Sequence, residues 1–349
     1  MPKNMPKNPN HTKNRNPTAG CLFSGMGGFC GGFKKAGINT LWANENDEHA
    51  ARTFRANYPS AEMIEKDVCD LSVNGDKLSP VDILTAGFPC QSFSHAGYKQ
   101  GFDDERGKLF FQIIRLIKEF GDNKPKILVL ENVPHLANGG GGKWLKTIIT
   151  EIQLAGYWFD KNNCVLLKTD EVSGLPQGRE RLFMVAASMD AFFCNDFVFP
   201  EAGAKLHPLS DFIKRNKKSP ASDYLPPDNR YYKTIAEKIE QSNAKSIYQL
   251  RRYYVREYSS KCPTLTANMG GGGHNVPFIK DRWGIRRLSV DECAKLQGFE
   301  NFHFPGEVAS SKRYQQIGNA VSLPVAEQLA SACLQFYNSE SFCRERRAA

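Results

Sequence analysis

The sequence lacks both long apolar runs and paired cysteines. In its 349 residues no uncharged apolar run reaches the roughly 18 residues that a membrane helix requires. Its ten cysteines are scattered, without a Cys-x-x-Cys pair or a Cys/His cluster at metal-ligand spacing, which argues against a zinc site and a redox motif. We therefore expect a cytoplasmic protein with reduced thiols and no bound metal that does not enter a membrane.

The amino-terminal segment also lacks the apolar core of a secretory signal. It repeats Met-Pro-Lys-Asn at residues 1–4 and 5–8, and we expect residues 1–18 to form a disordered basic tail. The chain has 46 Lys and Arg against 37 Asp and Glu, a formal net charge of +9. This excess favours a polyanionic partner, because cations that neutralise phosphates release condensed counterions.

Residues 19–189 alternate short apolar runs with amphipathic stretches, which is typical of a largely parallel sheet with covering helices. The clearest buried strands are predicted at 81–86 and 127–130. Apolar residues at helical spacing predict crossover helices at 109–120 and 144–154. The pattern predicts an α/β fold.

Regular alternation is lost in residues 190–285, which are rich in proline, Asn/Ser turns and glycine. A helical pattern returns from residue 286, with Ser289 as its expected N-cap, and residues 324–337 read as an apolar helix. We therefore predict one domain made of residues 19–189 and 286–349, with a second domain inserted at 190–285.

A glycine turn follows the first predicted strand. Gly25, Gly27 and Gly28 let the backbone approach a ligand there, but Cys30 stands where a dinucleotide-binding loop needs glycine. Glu45 lies about twenty residues further on, the distance at which an acid binds ribose hydroxyls. Asp67 could accept a hydrogen bond from an adenine amino group. Together these favour an adenosine ligand without a pyrophosphate, although either element alone would read as a plain turn or a surface acid.

Cys90 follows the strand predicted at 81–86 through Gly87-Phe88-Pro89, and Glu131 ends the strand predicted at 127–130. Because ligands bind at the carboxyl ends of strands in open α/β folds, the thiol and the carboxyl group are expected on one rim. A lone cysteine is more often a small core residue. The polar loop that follows, residues 91–106, instead suggests a segment that closes over a substrate.

Arg179 and Arg181 precede a further apolar run. Being two residues apart, they would share one face of an extended strand. The alternative is a solvated charged strand.

Blocks of residues along nearly the whole chain resemble the bacterial DNA (cytosine-5) methyltransferases of restriction-modification systems. The matching blocks occur in the family's order, at 23–29, 44–47, 67–68, 87–94, 106–110, 131–133, 177–183, 287–299 and 316–321. Two positions depart from the family. Cys21 replaces a frequent acidic residue, and Asn46 stands where some members have a tryptophan that stacks on adenine.

The resemblance implies a Rossmann-like, S-adenosylmethionine-dependent methyltransferase fold and a covalent mechanism. Cys90 would add to carbon 6 of a flipped-out cytosine, and Glu131 would protonate or hydrogen-bond ring nitrogen 3. Arg181 would contact the 2-oxo group and hold Glu131, while Arg179 would support the pocket and the DNA backbone. Backbone carbonyls of Phe88 and Pro89 would read the exocyclic amine.

The resemblance also implies the residues that hold the methyl donor, which leaves as S-adenosylhomocysteine. They are Phe23, Gly25, Gly27, Gly28, Glu45, Asn46, Asp67, Val68, Pro89, Leu109, Asn319 and Ala320.

Residues 190–285 lie where this family has its target-recognition domain. Cationic and aromatic side chains there suit phosphate and base contacts, and the expected DNA contacts of the chain are Gln91, Ser92, Ser94, Arg106, Arg251, Arg252, Thr264 and Leu265. For any one residue of the recognition segment a solvated face or a core aromatic is an equal alternative. The expected partner is duplex DNA bound by a monomer associated with the bacterial nucleoid, and the resemblance also allows a separately encoded restriction endonuclease.

Two other functions stay open at this point. One branch of the family methylates tRNA with the same chemistry, although the size of the variable segment favours DNA. A catalytically silent DNA-binding regulator is the second alternative, and the presence of Cys90, Glu131, Arg181 and Asn319 argues against it.

Overall fold

The computed structural model describes residues 15–89, 108–242, 244–251, 254–270 and 275–339. At its centre is a sheet with five parallel strands in the order β3-β2-β1-β4-β5. These strands are β1 (Thr18–Leu22), β2 (Asn39–Glu45), β3 (Glu62–Glu65), β4 (Ile83–Gly87) and β5 (Ile127–Asn132).

Antiparallel strands extend the sheet beyond β5. The long strand β9 pairs with β5 on one side and with β6 and β7 on the other. The strands of this region are β6 (Tyr157–Trp158), β7 (Cys164–Lys168), β8 (Gln177–Gly178) and β9 (Glu180–Ser188).

Helices cover both faces of the central sheet. The helices of the described residues are α1 (Gly28–Lys35), α2 (Glu48–Asn57), α3 (Leu109–Glu119), α4 (His135–Asn138), α5 (Lys143–Leu154), α6 (Thr169–Ser173), α7 (Tyr232–Glu240), α8 (Val290–Leu296), α9 (Ser310–Asn319) and α10 (Leu323–Asn338). Successive residues of β5 point to opposite faces, so Leu128 and Leu130 pack with α3 and α5 while Ile127 and Val129 pack with α1 and α10. The predicted α/β fold is confirmed.

Several element boundaries differ slightly from those predicted. The strand predicted at 81–86 is β4, the strand at 127–130 continues through Asn132 at the end of β5, and the helix at 324–337 is α10. Ser289 is the N-cap of α8, as predicted, and forms a capping box with Glu292. Within the predicted tail, Thr18 already belongs to β1.

The segment predicted as a second domain contains a four-stranded antiparallel sheet in the order β11-β10-β13-β14. The strands from residue 247 onward are β10 (Ile247–Leu250), β11 (Val255–Tyr258), β12 (Cys262–Pro263), β13 (Pro277–Asp281) and β14 (Gly284–Arg287). One face of this sheet packs on α7, where Tyr248 and Phe278 bury Ile235 and Ile239. β12 pairs in parallel with β8, and β14 crosses the boundary drawn at residue 285.

A buried group of charges joins β14 to α8. The Arg286 guanidinium donates to both carboxylate oxygens of Glu292, at 2.8 and 2.9 Å, and to Asp281 at 2.9 Å. Glu292 also accepts from the backbone N–H groups of Ser289 and Lys214. Burial alone would raise the pKa of Glu292, but these hydrogen bonds and the charge of Arg286 lower it overall.

We expect Glu292→Ala to reduce the free energy of unfolding by about 3 to 5 kcal/mol, because it leaves Arg286 buried without its main partner. Since the folded pKa of Glu292 is lowered, its contribution is complete above its ordinary pKa and lost as pH falls through the folded value. Urea unfolding at neutral and acidic pH measures both effects. Ser289→Ala, which removes only the cap of the same helix, should cost about 1 kcal/mol. Equal losses in the two variants would contradict this assignment.

Candidate active site

The polar groups of the site collect where the order of the parallel strands reverses. β1 and β4 are neighbours, with Leu22 opposite Ala86, although about sixty residues of chain lie between them. In open α/β sheets such a reversal leaves a crevice at the carboxyl ends of the two strands. The glycine turn leaves β1 at this edge, and Phe88-Pro89 leaves β4 beside it.

The glycine turn has a conformation that requires its glycines. Gly25 and Gly27 have φ values of 55° and 97°, in the left-handed region that favours glycine. A Cβ on Gly28 would lie 2.5 Å from the carbonyl oxygen of Val321. The turn therefore brings the start of α1 against the segment that leads into α10.

Glu45 is fixed beside this turn by backbone hydrogen bonds. One carboxylate oxygen accepts from Gly25 N–H at 2.8 Å, and the other accepts from Asn46 and Asp47 at 3.0 and 2.9 Å. Burial raises the pKa of Glu45, and the three N–H donors offset part of that rise. The carboxylate is thus held in one orientation at the end of β2.

The remaining residues predicted to hold the methyl donor lie around this edge. Phe23 begins the turn with a φ of 54°. Asp67 lies two residues after Glu65, which is opposite Glu45 in the sheet. The Asp67 carboxylate accepts a hydrogen bond from Cys69 N–H at 2.8 Å. Asp67, Asn46 and Asn319 are exposed, Pro89 and Leu109 are half-buried, and Val68 and Ala320 are buried.

Three buried polar side chains near the glycine turn make no hydrogen bond among the residues that the structure describes. They are Ser24 within the turn, Ser322 just after Val321, and Gln316 on α9. Gln316 is one helical turn from Lys312, whose ammonium group lies 3.5 Å from Asp47, the N-cap of α2. Unsatisfied buried polar atoms are costly, so these side chains suit a bound ligand.

Glu131 lies at the carboxyl end of β5, opposite Gly87 on β4. A Cβ at Gly87 would lie 3.5 Å from the Glu131 carboxylate, so the carboxyl group lies directly beside the end of β4. Arg181 on β9 contacts the other carboxylate oxygen through Nε at 3.1 Å. Burial raises the pKa of Glu131, and the charges of Arg181 and Arg179 offset only part of the rise.

Asn132 is a further residue of this rim, which the sequence did not single out. It is fully buried, its Nδ2 donates to the carbonyl oxygen of Phe88 at 3.1 Å, and its Oδ1 accepts from Val133 N–H at 2.9 Å. It thereby fixes the backbone that leads to residue 90. An asparagine directly after the acid at the end of a buried strand is the signal that could have indicated it.

Arg179 lies between β8 and β9, where its N–H donates to the carbonyl of Gln177, and Arg181 is the second residue of β9. The charges of both arginines lower the pKa of Glu131. The Arg179 guanidinium is buried and donates to the carbonyl oxygens of Leu265, Gly318 and Ala320 at 3.0, 3.1 and 2.8 Å. In this arrangement it connects three chain segments and does not reach a surface where DNA could bind.

Two glutamines extend the same buried network and were also not singled out from the sequence. Gln177 donates to the carbonyl of Leu296 and accepts from Leu265 N–H, while Gln297 donates to the carbonyl of Ile317 at 2.8 Å. Leu265 itself is 1% exposed. The Thr264 hydroxyl donates to the carbonyl of Gly178 at 2.6 Å. Both residues of the predicted Thr-Leu contact are thus engaged with the catalytic part of the chain.

Comparison with known proteins agrees with this geometry. The family model for C-5 cytosine-specific DNA methylases matches residues 20–335. The chain belongs to this family.

Relatives and solved structures extend the match. The chain is 38% identical to the type II methyltransferase M.Bsp6I of Bacillus sp. (strain RFL6), over 88% of this chain and 96% of the relative. It is 33% identical to M.Eco47II of Escherichia coli, over 86% of this chain and 74% of the relative. A putative DNA modification methyltransferase from an E. coli prophage has the same fold, with a TM-score of 0.67 and 23% identity over 92% and 99% of the two chains.

This methylase is therefore a DNA (cytosine-5) methyltransferase, and the predicted family and activity are confirmed. Six of its predicted site residues lie outside the residues that the structure describes, namely Cys90, Gln91, Ser92, Ser94, Arg106 and Arg252. In the part of the chain that is described, no helix is long and apolar enough to cross a membrane, and no cluster of metal-ligating side chains occurs.

We expect Asn132→Ala to reduce methyl transfer at least tenfold, because the Phe88 carbonyl and the turn before Cys90 lose their anchor. The lost hydrogen bonds should also cost about 1 to 3 kcal/mol of stability. Asn163→Ala is a matched control. The Asn163 side chain is also buried, accepts a hydrogen bond from one backbone N–H and donates one to a backbone carbonyl, but it lies just before β7. Single-turnover rates and urea unfolding of both variants measure the effects. A similar loss of rate in both would mean that Asn132 acts only through stability.

Proposed function

We propose that this methyltransferase transfers a methyl group from S-adenosylmethionine to carbon 5 of a flipped-out cytosine in a specific duplex DNA sequence, through a covalent Cys90 adduct. The main support is the position of Glu131, a buried carboxyl group with a raised pKa, opposite Gly87 at the end of β4. The chain continues from Gly87 through Phe88 and Pro89 to Cys90. The acid and the nucleophile thus follow adjacent parallel strands.

The thiol is needed because carbon 5 of cytosine is a poor nucleophile. Addition of the Cys90 thiolate to carbon 6 forms a C–S bond and makes the ring an enamine, whose carbon 5 attacks the methyl group. S-adenosylmethionine supplies that methyl group on a sulfonium, and S-adenosylhomocysteine leaves. Loss of the carbon 5 proton to a base then expels the thiolate and restores the ring.

Glu131 assists by placing a proton on ring nitrogen 3 as the thiolate adds, which keeps negative charge from building on the ring. Its raised pKa retains the proton at higher pH than a solvated carboxylate would. Arg181 orients this carboxyl group and, beyond it, contacts the 2-oxo group of the base. Arg179 acts as a positioning residue through the three carbonyl groups that it binds.

The glycine turn and its neighbours hold the methyl donor. Glu45 is oriented by three N–H groups to accept ribose hydroxyls, and Asp67 lies at the adjacent strand end for the adenine amino group. The unpartnered hydroxyls of Ser24 and Ser322 and the Gln316 amide fit a polar ligand such as the amino-acid part of the donor. Phe23, Val68, Leu109 and Asn319 would complete the pocket.

DNA binds with the target nucleotide out of the stack, because carbon 6 cannot be reached inside a duplex. The net charge of +9 supports a phosphate-binding surface. Residues 190–285 serve as the recognition domain in a monomer that acts in the cytoplasm, and a separately encoded endonuclease is its expected partner.

We expect expression of the wild-type protein in a methylation-free host to place 5-methylcytosine in one recurring DNA sequence, and Cys90→Ser to place none. The fold and the phosphate contacts do not depend on the thiol, so the variant should bind DNA as the wild type does. Genome-wide 5-methylcytosine mapping and gel-shift titration measure these outcomes. Methylation of tRNA alone, or a fully active Cys90→Ser variant, would overturn the proposal.

A second prediction concerns pH. Because Glu131 acts in its protonated form, the rate of methyl transfer should fall as pH rises through its folded pKa. Arg181 lowers that pKa, so Arg181→Gln should slow the reaction and move the fall to higher pH. Arg181→Lys keeps a positive charge and should move it less. Single-turnover rates across pH test this, and identical midpoints in all three proteins would exclude Glu131 as the titrating group.

A further inference from the structure

The two faces of the β10–β11 hairpin have different surroundings. Gln249 is opposite Arg256 in the antiparallel register, and Tyr248 is opposite Glu257. Side chains alternate along a strand, so residues 248 and 249 point to opposite sides. Tyr248 is buried against α7. The other face therefore presents Gln249, Arg251 and Arg256 away from the core of the small sheet.

That face forms one wall of a cleft of about 430 Å³ between the small sheet and the strands that follow β6. Gly178, whose carbonyl binds Thr264, lies on the opposite wall. The charged residues that line the cleft are Lys168, Arg251, Arg256, Lys261, Asp170 and Glu180.

The four cations of the cleft differ in their partners. Lys168 lies 2.7 Å from Glu171, and Lys261 lies 2.5 Å from Asp170, so each is paired with a carboxylate. Within the described ranges, neither Arg251 nor Arg256 has a carboxylate within salt-bridge distance. These two guanidinium groups keep their full charge toward the cleft.

Arg251 differs from Arg256 in being held in one orientation. Its Nη1 donates to Asn275 Oδ1 at 2.8 Å and to Gln249 Oε1 at 3.3 Å. Asn275 and Gln249 are themselves joined, because Gln249 Nε2 donates to the Asn275 carbonyl at 3.2 Å. Among the contacts of the described residues, Nη2 and Nε of Arg251 are unused. One edge of the guanidinium is fixed by two neutral amides, and no described residue binds the other edge.

An oriented guanidinium edge in a cleft fits base recognition better than phosphate binding. A phosphate is bound by any nearby cation, whereas guanine offers two acceptors, O6 and N7, that match a guanidinium fork in the major groove. That groove also admits a two-stranded ribbon such as β10–β11. Amide acceptors fix the arginine without neutralising it, as a carboxylate would.

We propose that Arg251 reads a guanine of the target sequence in the major groove, with Asn275 and Gln249 as positioning residues. This rests on the proposed function as a sequence-specific DNA methyltransferase. Arg256 contacts phosphate instead. It is exposed, and its guanidinium carbon lies 5.9 Å from the centre of the Tyr258 ring.

The test uses the full-length protein and synthetic duplexes that contain the sequence mapped for the wild type. Each guanine outside the target pair is replaced in turn by 7-deazaguanine, which keeps base pairing and O6 but lacks the N7 acceptor. For the wild type we expect a roughly tenfold to hundredfold lower transfer rate at one of these positions. Arg251→Gln should lose this dependence at that position, because the glutamine amide has neither the charge nor the guanidinium fork, and should methylate related sequences.

Two further variants separate reading from simple attraction. Arg256→Gln is the matched control and should keep the wild-type response to 7-deazaguanine with only weaker DNA binding. Asn275→Gly removes the amide that holds Arg251 and suits the positive φ of 71° at this position. It should relax selectivity at the same guanine while leaving binding to unrelated duplex DNA unchanged, which a merely structural loss would not do.

The outcomes distinguish this inference from the proposed function. A wild type that places no 5-methylcytosine in DNA overturns both. Sequence-specific methylation that is insensitive to 7-deazaguanine at every position, or an Arg251→Gln variant with the wild-type response, overturns only the role of Arg251. Equal loss of binding to all duplexes in Arg251→Gln would make it a phosphate contact and would overturn the inference as well.

Discussion

The site depends on the parallel pairing of β1, β4 and β5. Parallel neighbours end at the same edge, so the turns after Leu22, Gly87 and Asn132 meet although long crossovers separate them in the chain. The pairing places the glycine turn, the Phe88-Pro89 backbone and Glu131 side by side. Backbone hydrogen bonds between the strands, and not contacts between these side chains, bring them together.

Two buried glutamates show how the surroundings of a carboxyl group decide its role. Glu292 receives two hydrogen bonds from Arg286 and two from backbone N–H groups, and its pKa is lowered. Glu131 contacts Arg181 at 3.1 Å, and burial raises its pKa. The first carboxylate is stabilised as an anion that joins β14 to α8. Burial instead favours the protonated form of the second, which suits the acid role proposed for it.

A buried polar network around Arg179 connects the proposed recognition segment to both parts of the proposed catalytic domain. Arg179 binds carbonyl groups of Leu265, Gly318 and Ala320, and Gln177 bonds to Leu265 and Leu296. Each of these donors would be left unsatisfied if the segments separated, which makes the arrangement costly to break. The cleft beside Gly178 and Thr264 is therefore held against the start of β9, where Arg181 contacts Glu131.

The sequence by itself determined the fold class, the family and the chemical identities of the central residues. Strand and helix periodicity located β5 and α3, and the ordered blocks identified Glu131, Glu45 and the glycine turn, because these signals are local in the chain. Contacts between distant segments could not be predicted in this way. Only the tertiary structure showed that Arg179 is buried among carbonyls, that Asn132 holds Phe88, and that Asn275 orients Arg251. Each of these contacts depends on which distant backbone groups the fold brings together. An arginine or asparagine with the same neighbours in sequence could equally well lie on the surface.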